Sequence, residues 1–499
     1  MFLLGSVASQ DPPAPPTPVS YKTVGPAGSG ANYICDGYND EAEINTALAT
    51  KLPVHLKPGI YNIGNPININ ASDTIYKLMA DDLTNWPQLK STSGQPIISS
   101  TNGKFEISNV VFNANNYVSN CIRVLASADG SSIHHCVFMG YTSTSTSNWG
   151  CGISGDSGCA IDIYSNNFIG SSGVHIYMVG KDPYPVPGPT NGVPTASTVF
   201  YAKIHGNIVR NTGAMTTIAN SPAFSLKYCH AWQNTIISHG NKGSTVATSS
   251  GSGINACRCW IEYNQVYGCG QSGIIPTSFG GLRDDCYSWI DHNICRFNGS
   301  CGIDYWYSDG CKVTNNICND NGQCNDVNAY ADRVGIDIQN YSKNTVVSNN
   351  ECTCVASTIT DSILTHPAGQ KYITVQAINR WQEGMLVRIV YKTVTEWNRI
   401  DRIDASTGYI YLLAVPGSAA VKGATMSGVN LQMVGIHTGG STTYPANSGG
   451  NHTGVQNHVW NNVYSNIGRA NVDDSDLTKS ILPLNGAGTG PSTFVWPAV

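Results

Sequence analysis

The chain has 499 residues, a formal net charge of −5 and only 12% charged residues. Its 27 Lys and Arg residues are spread thinly, so no basic stripe is available to neutralise a nucleic-acid backbone. No apolar run approaches the roughly 20 residues that cross a bilayer. The composition therefore predicts a folded protein that neither binds nucleic acid nor inserts into a membrane.

The first 30 residues predict a tail and a tether. The opening MFLLGSVAS has an apolar stretch shorter than a typical secretory core of about 7–15 residues, and no Lys or Arg precedes it. A typical signal peptide is therefore not predicted. Pro12 to Pro18 are expected to form a stiff, extended spacer.

The strongest pattern is a repeated phrase of an aromatic or aliphatic residue, two polar residues, Asn, any residue and an apolar residue, as in KIHGNIV. It returns about every 30 residues, a period typical of the coils of a parallel β-helix. The Asn residues are expected at turns, where stacked amides hydrogen-bond to the coils above and below. They are Asn109, Asn167, Asn207, Asn234, Asn264, Asn293, Asn316, Asn350 and Asn462, with His135 filling the gap between the first two.

Many of the 17 cysteines follow the same spacing. Their thiols are therefore expected to stack inside the coils as small hydrophobic side chains. None of their spacings gives the paired CxxC units of a zinc site, so neither a metal nor another cofactor is predicted. The disulfide state stays open at this point.

One segment interrupts the repeat. From about Gly369 to Gly417, apolar and polar residues alternate in several runs without the Asn phrase, which predicts a compact insertion of four or five β-strands. The predicted organisation is a tail and tether at 1–30, a parallel β-helix at 31–366, a small β insertion at 367–430, the last coils at 431–470 and a tail at 471–499.

The segment from Cys35 to Leu48, CDGYNDEAEINTAL, resembles the opening of pectate-lyase-like right-handed parallel β-helix proteins. This superfamily includes polysaccharide lyases, polygalacturonase-like hydrolases and the tailspikes of viruses that infect prokaryotes. The resemblance implies an all-β, single-stranded right-handed parallel β-helix with a short helix capping its first coil. The insertion, from Trp381 to Ile389 onward, resembles a small β module found in polysaccharide-degrading β-helix proteins and phage tail proteins.

A second column of the form Gly, apolar residue, polar residue predicts which side chains face outward. Strand alternation sends the apolar residue inward and the next one outward, so Asp304 and Asp337 should lie on adjacent coils about 5 Å apart. Such a pair suits the nucleophile and the acid/base of a retaining glycosidase, and repulsion should raise one pKa. The alternative is a pair of surface aspartates without chemistry. The same face is expected to offer sugar contacts through His175, Tyr177, Trp306 and Gln339.

A second candidate lies at Arg283-Asp284-Asp285. With the following Cys286, it resembles the D-D-C of polygalacturonase-like hydrolases, which implies acid and base roles for the two aspartates and substrate binding for the arginine. The alternative is a charged turn. Trp289-Ile290-Asp291-His292 resembles the W-I-D-H of pectate lyases, but it coincides with the repeated phrase and is interpreted as structural.

Three classes of function remain open. The first is an extracellular enzyme that cleaves a polysaccharide by hydrolysis or elimination; the second is a tailspike or tail-fibre-like attachment protein that binds a cell-surface glycan, with or without cleavage. The third is a structural solenoid. The Pro-rich tether favours the attachment protein, and the resemblance to tailspikes implies a homotrimer and an extracellular or virion-associated location.

Overall fold

A computed structural model describes most of the chain. The described residues are 20–70, 75–117, 120–125, 129–142, 150–183, 199–210, 212, 221–240, 251–277, 287–306, 310–323, 334–339, 345–353, 359–417, 422–428, 434–438, 458–465 and 470–474. Most of the expected tails at 1–30 and 471–499 therefore lie outside them.

Three long parallel sheets form the body of the protein, as expected for a single-stranded right-handed parallel β-helix. Each coil passes from sheet A to sheet B to sheet C, and each strand pairs in parallel with its counterparts on neighbouring coils. Short apolar-polar runs suit this arrangement, because each strand buries alternate residues while its backbone is bonded on both sides.

Sheet A has 14 strands. In spatial order they are Tyr33–Cys35, Lys22–Pro26, Val54–Leu56, Ile75–Ala80, Lys104–Ser108, Ser131–His134, Ile161–Tyr164, Ala202–His205, Cys229–Trp232, Trp260–Glu262, Trp289–Asp291, Lys312–Thr314, Val346–Ser348 and His458–Trp460.

Sheets B and C have 12 strands each. Those of sheet B are Ile60–Ile63, Gln88–Ser91, Val111–Asn113, Val137–Met139, Asn167–Ile169, Ile208–Arg210, Thr235–Ile237, Gln265–Tyr267, Ile294–Arg296, Ile317–Asn319, Glu351–Thr353 and Val463–Ser465. Those of sheet C are Ile67–Ile69, Ile98–Ser100, Ile122–Val124, Ile153–Cys159, Ile176–Gly180, Pro222–Lys227, Ser252–Cys257, Ile274–Pro276, Ile303–Trp306, Val334–Gln339, Val434–Thr438 and Ala470–Asp474.

The expected helix spans Glu41–Leu48 and covers the first coil. Ile44, Ala47 and Leu48 are buried against the coil, so the helix closes the open end of the core. Glu41 fixes its position, since its carboxylate accepts hydrogen bonds from the backbone N–H groups of Gly64 and residue 65 at 3.0 and 3.1 Å.

The amide ladder is present at the turn between sheets A and B. Each Asn side chain donates to the amide oxygen of the next Asn, at 2.9 to 3.0 Å, and that oxygen also accepts the backbone N–H of the Asn before it. Its members are Asn166, Asn207, Asn234, Asn264, Asn293, Asn316, Asn350 and Asn462.

The start of the ladder differs from the prediction. Asn166, not Asn167, enters it, while Asn109 and His135 lie one position earlier, where the backbone takes a left-handed φ of 58° and 54°. Val110 and Cys136 therefore occupy the ladder position in those coils. The sequence spacing did not resolve two neighbouring positions, because both favour Asn: one for its left-handed backbone and the other for its buried amide.

The cysteines lie in the core, as predicted. All 14 cysteines within the described residues are buried and free of disulfide bonds. Aromatic rings also stack between coils, as in the column formed by Phe112, Phe138 and Phe168, whose ring centroids are 5.0 and 4.9 Å apart. Thus, one side chain per coil fills each internal column.

The insertion is a closed antiparallel barrel of six strands. They are Thr360–Thr365, Tyr372–Val375, Leu386–Tyr391, Val394–Asp404, Tyr409–Leu412 and Thr425–Gly428, with a 3₁₀ turn at Ile378–Arg380. The first strand lies before the expected boundary at 367 because it pairs with the last strand and with the second.

The barrel docks on sheet B through polar contacts. Arg399 is buried, and its guanidinium donates to the carbonyl oxygen of Phe297 at 2.8 Å. Arg210 of the β-helix forms an ion pair with Glu383 at 3.0 Å. Within the described ranges, no helix has the length and apolar character that crossing a membrane requires.

Candidate functional site

Asp304 and Asp337 lie opposite each other on adjacent coils of sheet C, in the predicted register. Both carboxylates are buried, with 2% and 1% of the residue exposed, so they do not lie on an exposed outer face as expected. Ser272 donates its hydroxyl to Asp304 at 3.2 Å, and the thiol of Cys301 lies 3.9 Å from a carboxylate oxygen of Asp337.

His175 does not lie in this outward row, contrary to the prediction. Ile176 is the residue that pairs with Ile153 and faces inward, so the outward neighbour of Ser154 is Tyr177. The Gly-apolar pattern placed Val174 in the strand, two residues too early. Tyr177 is half-buried and belongs to the row of Asp304 and not to that of residue 306.

His175 instead belongs to a buried polar network inside the coils. Tyr141 bonds to its Nδ1, and its Nε2 lies 2.9 Å from Thr212. Thr212 contacts Nδ1 of His239 at 2.9 Å, and Nε2 of His239 bonds to the carbonyl oxygen of Ser221 at 3.0 Å. When both imidazoles are neutral, every hydrogen bond in this network has one donor and one acceptor. Burial accordingly lowers the pKa of His239 to about 4 and that of His175 well below its ordinary value.

The remaining predicted residues are only partly described. Trp306 and Gln339 lie opposite each other on adjacent strands, as expected, but the positions of their side chains are outside the described part of the structure. Arg283, Asp284 and Asp285 fall in 278–286, a range that is also outside it.

Two groups of side chains in the described ranges bring ligand atoms together closely enough for a metal ion. Cys301, Asp304 and Asp337 have donor atoms within 4.8 Å of one another, and so do Cys35, Asp40 and Glu43. In the second group, Asp40 already accepts backbone N–H groups from Gly37 and residue 62 at 2.9 and 2.7 Å. That carboxylate therefore has a structural role in the turn before the helix.

The outer face of sheet A carries an unbroken column of stacked rings, which we call the ring column. Neighbouring ring centroids lie 4.2 to 5.1 Å apart, and most ring planes are nearly parallel. Its members, in order of contact, are His134, Tyr164, His205, Trp232, His230, Trp260 and Trp289; Trp232 and His230 lie on the same strand, where the column moves from one row to the next. All are half-buried, because each ring covers the face of the next and leaves its edge toward solvent.

Carboxylates accompany the ring column. Asp162 contacts Nε2 of His205 at 2.9 Å, and Glu262 contacts Nε2 of His230 at 2.9 Å. Burial, Lys203 and His205 lower the pKa of His230 to about 4, which outweighs the opposite effect expected from Glu262. At neutral pH this contact is therefore a hydrogen bond from a neutral imidazole.

A second column runs beside the first at the corner between sheets C and A; we call it the corner cluster. On consecutive coils it consists of Tyr201, Tyr228, Arg258 and Tyr287, each two residues before a member of the adjoining sheet A row. The Arg258 guanidinium lies 5.8 and 5.9 Å from the Tyr228 and Tyr287 ring centroids. Lys227 lies 4.9 Å from the Tyr228 ring, and burial raises the pKa of Tyr228 to about 12.

The ring column and the tyrosines of the corner cluster together form a broad, partly exposed surface of ring edges and carboxylates, whereas Arg258 is buried. Imidazole and indole N–H groups, phenol hydroxyls and carboxylates can bond to a ligand with many hydroxyl groups. The repeat did not predict this surface, although the sequence contains a signal for it: the residue two or four places before the ladder position is aromatic or His in SIHHC, DIYSN, KIHGN, HAWQN, WIEYN and WIDHN.

Comparison with known proteins gives distant structural similarities only. No family model matches the sequence, and no curated protein is similar to it in sequence. Among solved structures, the A-module of mannuronan C-5 epimerase AlgE4 from Azotobacter vinelandii is similar. The alignment covers 92% of this chain and 100% of the A-module, at 11% identity and a TM-score of 0.42.

Two phage proteins are also similar. The Dettilon tailspike covers 81% of this chain and 93% of its own, at 12% identity and a TM-score of 0.33. The alignment with tailspike protein 3 of bacteriophage CBA120 covers 77% of this chain and 68% of the tailspike protein, at 12% identity and a TM-score of 0.30. At these identities and TM-scores the likeness concerns the general fold alone, and the parallel β-helix of this chain is established by its own three parallel sheets.

Proposed function

We propose that the chain is an extracellular glycan-binding protein of the tailspike or tail-fibre-like, receptor-binding kind. The observation that carries this proposal is the ring column, with its polar edges, on the outer face of sheet A. The corner cluster extends that surface with further rings, beside the half-buried Lys227. The proposed partner is a cell-surface polysaccharide, and the proposed location is extracellular or virion-associated.

The spacing of the surface suits an extended polymer. Equivalent side chains recur at the coil spacing of roughly 4.8 Å, which is close to the length of one pyranose unit. A polysaccharide lying along the β-helix would therefore meet a similar set of ring edges and carboxylates at each sugar. Many weak, repeated contacts of this kind add up through multivalency.

A direct test is electrophoresis of the full chain through gels containing a purified polysaccharide: a neutral glucan, a polyuronate or the surface polysaccharide of a prokaryotic host. We expect retardation in at least one gel, and Trp260→Ala should weaken it about tenfold by removing a central ring. Trp86→Ala is the matched control, because Trp86 is half-buried but lies outside the ring column. Absence of retardation in every gel would reject the proposal.

Depolymerase activity is a second candidate function, favoured by the register that brings Asp304 and Asp337 together. Here the two aspartates would provide acid, base or nucleophile, with Asp284, Asp285 and Arg283 as the alternative set. New reducing ends would indicate cleavage, and the ultraviolet absorbance of an unsaturated uronate would indicate elimination. Asp304→Asn and Asp337→Asn should each abolish product and leave retardation unchanged. Retardation without product selects the attachment protein, and absence of both leaves the structural solenoid.

A further inference from the structure

The barrel carries a cluster of half-exposed tyrosines that the ring column does not explain. Tyr372 lies opposite Tyr411 on paired strands, and Tyr409 is two residues from Tyr411, so strand alternation places all three on the same outer face. Their centroids are 4.4 to 6.3 Å apart, and each residue is half-exposed. We call this set the tyrosine patch.

Charged groups lie on the same face. Arg402 lies opposite Tyr411, and its guanidinium carbon is 4.0 Å from the Tyr411 ring centroid. Asp404 lies opposite Tyr409 and accepts hydrogen bonds from Ser406, which lower its pKa and keep it ionised. The patch thus combines apolar ring surface, phenol hydroxyls, a planar donor and a carboxylate acceptor.

The barrel does not use this face to dock on the β-helix. Among the described residues, its polar contacts with the β-helix come from Gln382, Glu383, Leu386 and Arg399 and from the backbone carbonyl of Asp401, and none of these contacts uses a side chain of the tyrosine patch. The three tyrosines therefore stay accessible while the barrel is fixed in place.

We propose that the tyrosine patch is a second glycan-binding site, which takes a pyranose unit of an extended polysaccharide. A pyranose has an apolar C–H face and a rim of hydroxyl groups, and the patch matches both: rings for the face, Arg402 and Asp404 for the rim. The presence of both charges favours a sugar with many hydroxyls over a purely anionic or cationic ligand. Two sites in one chain would raise avidity for a polymer.

The test uses the same polysaccharide gels with the full chain. Tyr409→Ala and Tyr372→Ala should each weaken retardation about fivefold, because each removes ring surface, whereas Tyr409→Phe should retain most of it. Tyr38→Ala is the matched control: Tyr38 is 77% exposed and precedes the N-terminal helix, away from the barrel. Thermal unfolding of each variant checks that the fold persists.

The outcomes separate this proposal from the one on sheet A. If only Trp260→Ala weakens retardation, the barrel site is overturned. If only the barrel variants weaken retardation, the barrel site is supported and the ring column is overturned. If no gel retards the unsubstituted chain, both the barrel site and the ring column are overturned as glycan-binding sites. If Tyr409→Ala changes the mass of the particle in solution and not its retardation, the patch is a contact between copies and the proposal is wrong.

Discussion

At the scale of single residues, the buried histidines show how a β-helix core accepts polar groups. His175 and His239 are fully buried, and each ring nitrogen has a neighbour that matches its neutral form. Protonation of either ring would add a donor where an acceptor is needed and place a charge in the core.

The first prediction concerns pH. The pKa of His239 is about 4 in the fold, against about 6.5 in an unfolded chain, so the unfolded state binds more protons between these values. Stability is therefore complete above about pH 6.5 and falls as the pH approaches 4, by on the order of 3 kcal/mol from this residue. Urea unfolding as a function of pH measures the slope.

His239→Gln should reduce that slope, since glutamine does not titrate. The control is His366→Gln on the barrel, which lies outside the buried network and should leave the slope nearly as it is. Equal slopes for the native chain and His239→Gln would contradict the assignment of neutral histidine to the core.

At the scale of elements, the amide ladder holds the turn between sheets A and B. The Asn264 side chain donates to the carbonyl oxygen of Ala231 and to Asn293, and its oxygen accepts from the backbone N–H of Asn234. Truncation at one rung leaves buried donors and acceptors unpaired on the coils above and below, and each such group costs about 1–3 kcal/mol.

The second prediction follows from this count. Asn264→Ala should lower the free energy of unfolding by about 3 kcal/mol, measured by urea unfolding. Asn102→Ala is the control, because Asn102 is an exposed turn residue outside the ladder. If Asn264→Ala lowers the free energy of unfolding by no more than Asn102→Ala does, the amide ladder contributes little to stability.

The third prediction concerns the thiol columns. Burial raises the pKa of Cys136 and Cys269 to about 12, and only the thiolate is a good nucleophile. In the folded chain at pH 8, iodoacetamide should therefore leave these residues unmodified, and denaturant without reductant should expose both. Mass spectrometry of the corresponding peptides gives the result; rapid labelling of the native chain would show that the columns open.

At the scale of the whole molecule, one buried arginine couples the barrel to the β-helix. The Arg399 guanidinium bonds to carbonyl oxygens on both bodies, those of Phe297 and Gly384. The fourth prediction is that Arg399→Met lowers the free energy of unfolding by about 2–4 kcal/mol, because these buried carbonyls lose a charged donor. Limited proteolysis should then cut near the barrel sooner. Arg388→Met, at an exposed position on the same barrel, is the control.

The fifth prediction is the assembly. We expect a homotrimer, and the structural reason for association is that apolar side chains such as Ile34, Ile60 and Ile75 are 46 to 60% exposed near the N-terminal coils. Association of copies would cover such surface. Sedimentation at micromolar concentration should give three times the mass of the chain; the mass of one chain would contradict this prediction.

The amino-acid sequence by itself determined the coil, because a phrase repeated about every 30 residues leaves few other folds that pair every strand. It also placed the capping helix, the buried cysteines, among them Cys295 opposite Cys318, and the register of Asp304 with Asp337. Such features depend on spacing along one strand and its neighbour, which a linear pattern contains.

The tertiary structure decided burial and the contacts between distant segments, which the spacing of residues along the sequence does not contain. Whether an outward residue is exposed depends on the segments that pass over it, so the sequence did not predict that Asp304 and Asp337 are buried. A shift of two residues in one strand was enough to move His175 into the core. The ring column arises only when rings from coils about 30 residues apart stack at 4.2 to 5.1 Å, a contact between distant segments that depends on the closed coil.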